Sequence, residues 1–242
     1  MPPCATFSIA TSNERPTQDS VLFTSQVCQN LGVTRLVLAS TSPARLSLLR
    51  AGGIEPITIA PGVDEEAVAT RAESMGLIGS SKDLVLLLAK AKAEAVVYHP
   101  DAQNAIIIGC DSALEFGGKT LGKPHQPEVA KARWRELRGN VGILHSGHWL
   151  IDNRTGVAMP PATGRTSSTN VHFADISDDE IDSYVATGEP LQVAGAFTID
   201  GLGGAFLSKI EGDTHTVIGL SLPTLRELSQ VLGVQYTSYW NR

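Results

Sequence analysis

Asp111 is the residue whose type and position first ask for a chemical explanation. It follows the apolar run of residues 105–109, which reads as a strand buried on both faces. An acid at the C-terminal end of such a strand points into the crevice where open α/β sheets bind ligands. A turn aspartate would look the same in isolation. Asp64, Glu65 and Glu66 also follow a strand and a turn, at Pro61 and Gly62, so a second carboxylate can join Asp111 around a hard divalent cation. Against these acids stand Arg45, Lys92 and Lys123, each beside a motif rather than inside a run of solvated charge. For Lys92 the plain alternative is a surface lysine whose stem lies along apolar neighbours. Ser40, Thr41 and Ser42 add hydroxyl donors directly ahead of Pro43, which fits the first position of a helix. Such a turn gathers free backbone N–H groups at the positive end of a helix dipole, with Arg45 one turn in. It would serve equally as an ordinary N-cap. Carboxylates, cations and an anion cradle together make the inventory of phosphoryl chemistry.

The elements that must position these residues follow from the apolar pattern. Residues 36–39 form a short buried strand, and Leu46, Leu48 and Leu49 give the next segment an apolar helical face, closed by Gly52 and Gly53. Residues 55–60 alternate as a strand. Ser81 or Asp83 caps a helix with Leu84, Leu87, Leu88, Ala91, Ala95 and Val96 on its expected buried side. Lys90 and Lys92 lie about 200° apart on that helix, so they face different ways. A hairpin turn is expected at residues 116–119 and a helix over 127–137. Strands cover 141–173, with turns at 152–153 and 159–161. A helix starting on acids runs over 178–187, residues 195–204 form loop, 205–210 a strand, and 222–232 a last helix with Pro223 near its start. Interleaved strands and helices predict an α/β fold with a mixed sheet.

The totals exclude several classes. The chain has 242 residues, 42% hydrophobic and 18% charged, enough for a sizeable core, and with 5% aromatic residues that core must be mostly Leu, Val, Ile and Ala. A net charge of -6 argues against a general binder of nucleic-acid polymers or membrane surfaces. Cys4, Cys28 and Cys110 form neither a zinc spacing nor a disulfide framework, which suits a reducing cytoplasm. No run approaches the roughly 18 apolar residues of a membrane span. Gly118, Lys119 and Thr120 imitate the end of a P-loop, but its first glycine would fall on Ala113 and Pro124 disfavours a following helix. Gly201 to Gly204 lack the glycine spacing of a dinucleotide site. His145 and His148 would point to opposite faces of a strand, a poor start for a zinc site.

At this point the ordered motifs resemble the Maf family, septum-formation-inhibitor-like nucleoside triphosphate pyrophosphatases. The residues are Ala39 to Arg45, then Val63, Asp64 and Glu65, Leu88 and Ala89 with Lys92 and Ala93, Asp111 and Ser112, and Leu121 to Pro124. The later half agrees through Tyr184 to Pro190, Ala194 to Phe197, Ile210 to Asp213 and Val217 to Leu220, so the match covers about residues 35–235. The resemblance implies an elongated two-lobed α/β unit with a cleft between lobes, cytoplasmic, with a homodimer as family habit. It implies hydrolysis of a nucleoside triphosphate to the monophosphate and pyrophosphate with Mg2+ or Mn2+. Carried over by motif, Asp111 is the proton acceptor and Ser40, Ser42 and Arg45 hold the triphosphate. Glu65, with Asp111, is the metal or water partner, and Lys92 and Lys123 neutralise the leaving group. A non-catalytic nucleotide-binding regulator of cell division is the competing reading, and a phosphohydrolase releasing the γ-phosphate a second.

Three positions depart from the pattern of the thymidine- and uridine-preferring branch: Ala44 stands for Arg, Ser112 for Thr and Asp200 for Gln. Asp200 cannot donate as a glutamine amide does, so base-edge pairing must differ. The Asp111-Ser112 pair and the run from Thr198 to Gly204 resemble an actinobacterial-type branch and leave the base open. Residues 1–32 read as a disordered extension, with Val33 marking a valine-coded start.

Overall fold

A computed structural model describes residues 33–241, and the expectations for residues 1–32 lie outside the described residues. Seven strands form one mixed sheet: β1 (Leu36–Ala39), β2 (Ile57–Thr58), β3 (Ile106–Phe116), β4 (Lys119–Leu121), β5 (Val141–Asp152), β6 (Ala162–Phe173) and β7 (Leu207–Glu211). Their order is β2-β1-β3-β5-β6-β7, with β4 pairing β3 beyond the end of β1. β1 is parallel to β2 and β3, and β3, β5, β6 and β7 run antiparallel in turn. The α-helices among the described residues are α1 (Pro43–Ala51), α2 (Glu65–Ser74), α3 (Ser81–Ala95), α4 (Pro127–Leu137), α5 (Asp178–Ala186), α6 (Thr214–Ile218) and α7 (Leu222–Val231). The expected α/β class with a mixed sheet is what the chain adopts.

The two faces of the sheet carry different cores. Leu36, Leu38, Ile106, Ile108 and Cys110 meet Leu48 and Leu49 of α1 and Leu225 and Leu228 of α7. Val37, Ala39 and Ile107 meet Ala93 and Val96, on the α3 side. A third cluster surrounds Trp134 of α4, whose ring meets Phe173, Tyr184 and Phe206 edge-on, and whose Nε1 donates to Ala196 O at 2.7 Å. Fully burying each large apolar side chain contributes about 1.5–3 kcal/mol, so these clusters fix the frame that the site borrows.

Several expectations need correction. The strand expected over 105–109 does not end there: β3 continues to Phe116, because β5 pairs it throughout, Asp111 opposite Gly147 and Glu115 opposite Ile143. The strand that does stop is β1, whose last pair is Ala39 with Gly109, while β4 begins pairing at Leu114. Among the described residues, 110–113 of β3 therefore have no strand neighbour on that edge. The strand expected over 55–60 shrinks to Ile57–Thr58. The acids at 64–66 were expected only to follow a strand and a turn; they open α2, capped by Asp64 accepting from the Ala67 N–H at 3.0 Å. The strand expected over 205–210 starts at Leu207, since Leu202–Phe206 is a short 3-10 turn.

The α3 face is also turned from its expected setting. Its buried residues are Ser81, Val85, Leu88, Ala89, Lys92 and Ala93, whereas Leu84, Leu87 and Ala91 are only partly buried and Ala95 is exposed. Two glycines explain this. A Cβ on Gly109 would lie 2.1 Å from Ala89 O, and one on Gly147 would lie 2.2 Å from Val85 O. The helix backbone rests directly on the sheet there, so its small residues face inward and the leucines flank them. Lys92 comes with the buried face, two positions from the half-exposed Lys90.

Candidate active site

The gap left where β1 ends opens into a cleft of about 1330 Å³, the natural crevice of an open α/β sheet. Ser40, Thr41, Ser42, Ala44 and Arg45 line it from the β1–α1 turn, Glu65 from α2, Lys92 from α3, Asp111 and Ser112 from β3, and Lys123 from the segment after β4. The structure thus brings every proposed catalytic, phosphate and metal residue into one cavity. Of the three candidate specificity positions, Ala44 and Ser112 line it. Asp200 does not; it is exposed, and its carboxylate accepts from the hydroxyl of Thr198, which lines the cleft instead.

The β1–α1 turn forms as its residue types require. Ser42 caps α1, its Oγ accepting from the Arg45 N–H at 3.4 Å, and Pro43 takes the first turn where no N–H is needed. Ser40 Oγ accepts from the Ser42 N–H at 3.1 Å and from Arg45 Nη1 at 3.2 Å. Each of these serines therefore keeps its hydroxyl proton to donate. Arg45 is buried, its Nε donating to Gly219 O at 2.8 Å and its Nη2 to Ser112 Oγ at 3.1 Å.

On the other face of β3, Lys92 Nζ lies 2.6 Å from Asp111 Oδ1 and 2.8 Å from Glu65 Oε1. Lys92 and Asp111 are buried, while the Glu65 side chain is half exposed. Burial pushes the Asp111 carboxyl above the usual carboxylate range, against the downward pull of Lys92 and Arg45, with Glu65 adding to the rise. A carboxylate made more basic in this way suits proton abstraction better than an ordinary one. Among the described residues, no three His, Cys, Asp or Glu side chains converge as a metal cage. Glu65 and Asp111 converge on the Lys92 ammonium. A hard divalent cation that keeps waters and takes phosphate oxygens needs only one or two protein carboxylates. The donor set therefore fits a cation that enters with a phosphorylated ligand.

Other singled-out groups do different work. His148 Nε2 accepts from the Ser221 N–H at 2.7 Å, and burial holds this imidazole down at about 4. His145 pairs Ser168 and Glu115 on the opposite face, so the two histidines share no site. Burial pushes the Cys110 thiol up to about 11, which leaves it an inert core group. The sequence reading missed Trp134, which holds the left-handed Ala196 (φ 64) and so aims the segment carrying Phe197 and Thr198 at the cleft. It also missed Glu189, which accepts from the Leu202 and Gly203 N–H groups and the Tyr184 hydroxyl, each at 2.9 Å. The motif Tyr184 to Pro190 holds Glu189 and its partner Tyr184 without showing this role, and nothing local in the sequence marks that of Trp134.

The fold and cleft define an open mixed-sheet α/β protein with a donor-lined anion cradle beside a buried carboxylate–lysine pair. The family model described as Maf-like protein matches residues 35–232, and the chain belongs to that family. It is 54% identical over 210 residues to a protein of Leifsonia xyli subsp. xyli named nucleoside triphosphate pyrophosphatase, covering 86% of this chain and 97% of that one. Proteins of the same name from Salinispora tropica and Streptomyces coelicolor are 51% and 48% identical, over 86% and 85% of this chain and 88% and 94% of theirs. These relatives are actinobacterial, in keeping with the branch resemblance drawn from residues 111–112 and 198–204.

Proposed function

We propose that the protein hydrolyses a nucleoside triphosphate to the monophosphate and pyrophosphate. The observation that carries this reading is the buried Asp111, made basic by burial and held by Lys92, within one cleft of a donor-only cradle around Arg45. The names of the relatives support the same activity.

Ser40, Ser42 and Arg45 bind the phosphate chain through hydroxyl and guanidinium donors and the N-terminus of α1. Asp111 takes a proton from water as the water oxygen bonds to the α-phosphorus. The bridging bond between the α-phosphorus and the β-phosphate oxygen breaks, and that oxygen leaves on pyrophosphate. Asp111 uses Oδ1 for Lys92, and Oδ2 takes no hydrogen bond from the described residues, so it is the atom offered to the proton. Lys92 keeps Asp111 oriented, and Lys123, exposed at the cleft rim, adds charge toward the departing pyrophosphate. Glu65 and Asp111 would hold a magnesium or manganese ion, which supplies further neutralisation of phosphate charge when bound.

Product identification tests the reading. The protein is incubated with each common and modified nucleoside triphosphate plus magnesium or manganese, and products are separated by ion exchange. Monophosphate with pyrophosphate is expected. Diphosphate with inorganic phosphate would place the reaction at the γ position, and the absence of turnover with every substrate would leave a nucleotide-binding regulator.

A further inference from the structure

We propose that Ser112, Ser146 and Gly219 are positioning residues that lock Arg45 into a fixed fork for a polyphosphate chain, so that Ser112 serves the arginine rather than the nucleobase. This rests on the phosphate reading of the cleft and extends it to Ser146, which lies in none of the family motifs, and to a new role for Ser112 and Gly219.

The direction of every hydroxyl proton in this cluster can be worked out. Ser146 is fully buried and its Oγ donates to Thr216 O at 2.8 Å. Ser146 has spent its only proton, so the 2.8 Å contact between Ser146 Oγ and Ser112 Oγ must be donated by Ser112. Ser112 has then spent its proton too, and presents only lone pairs to Arg45 Nη2 at 3.1 Å. It cannot donate to a base edge. Arg45 carries five N–H donors. Three go to Gly219 O, Ser40 Oγ and Ser112 Oγ, leaving one on each terminal nitrogen. A donor left on each terminal nitrogen of a guanidinium whose other donors are held is available to phosphate oxygens.

Gly219 completes the lock from 174 residues away. Its φ of 113° is a glycine conformation, and a Cβ there would lie 3.1 Å from Arg45 Nε and 3.2 Å from Ser112 Oγ. A side chain would therefore push on both partners of the arginine. Holding a long side chain in its bound rotamer beforehand removes an ordering cost from binding, which is how the clamp would raise affinity.

Inorganic tripolyphosphate, titrated calorimetrically without nucleoside or metal, tests the clamp. Gly219→Ala is the direct disruption, but it strains the backbone, so the decisive set is Ser112→Ala, Ser112→Thr, Arg45→Ala and the Ser112→Ala/Arg45→Ala double variant. Thermal melting confirms that each is folded. Ser112→Ala is expected to weaken tripolyphosphate binding about tenfold, while Ser112→Thr, which keeps the acceptor, stays within about threefold. In the Arg45→Ala background, Ser112→Ala should cost nothing further. An equal loss in both backgrounds, or no loss from Ser112→Ala, would overturn the clamp, as would unchanged binding in Arg45→Ala. Because the probe has no nucleoside and is not turned over, a closed cycle beside unexpected nucleotide products would leave the clamp standing and remove only the proposed reaction.

Discussion

On one face of β3, Ser112 meets Arg45 through neutral hydroxyls and a backbone carbonyl; on the other, Asp111 meets Lys92 and Glu65 through full charges. The first arrangement is fixed. A guanidinium does not titrate in a protein, and its acceptors are already spent. The second is labile, because burial and neighbouring charge pull the Asp111 proton in opposite directions. A phosphate chain arriving with its own charge, and a cation with it, would shift that balance. The molecule thus separates holding from proton transfer by placing them on alternate residues of one strand, 112 and 111, whose side chains leave the sheet on opposite sides.

Three substitutions test that separation, the largest effect first. Asp111→Asn keeps the shape and removes the base. Its kcat should fall by at least about 10²-fold, the usual scale for a general base, while tripolyphosphate affinity changes little. Wild-type turnover in this variant would remove Asp111 from the mechanism. Lys92→Met should do less, about tenfold in kcat/KM at neutral pH. Loss of the ammonium removes a contact that lowers the Asp111 carboxyl, so the acidic limb of the pH profile should move to higher pH and activity should partly return there. Arg45→Lys, on the fixed side, should raise KM and leave that limb in place. If both variants moved the limb equally, the division between the two faces would fail.

How legible each side was in the sequence follows from the same contrast. The β1–α1 turn could be read locally, since the apolar run, three hydroxyls, Pro43 and Arg45 all lie within ten residues and Ser42 caps as its type predicts. α4 came out at its stated bounds because Pro127 opens it and Arg138 to Asn140 close it. The acids at 64–66 were picked out as chemistry, but α2 was not foreseen, since its ten residues bury only Ala72 and show no apolar face. The setting of α3 depends on Gly109 and Gly147, in strands that follow it in the chain, so its leucine-rich sequence placed Leu88 and Val96 correctly but missed Val85, Ala89, Lys92 and Ala93. Asp111 was singled out correctly as a cleft residue for a partly mistaken reason. Its own strand continues, and the crevice exists because β1 stops at Ala39. Ser146 was silent, as a serine in a strand is common, Gly219 stood in the motif Val217 to Leu220 with no role attached, and only the fold brings them to Arg45.

Hydrolysis in water enriched in oxygen-18 tests the central claim most directly. If water attacks the α-phosphorus, as the placement of Asp111 beside the Arg45 cradle leads us to expect, mass spectrometry should find the heavy oxygen in the nucleoside monophosphate and none in the pyrophosphate. Label in pyrophosphate, or in inorganic phosphate released with a diphosphate, would contradict the account.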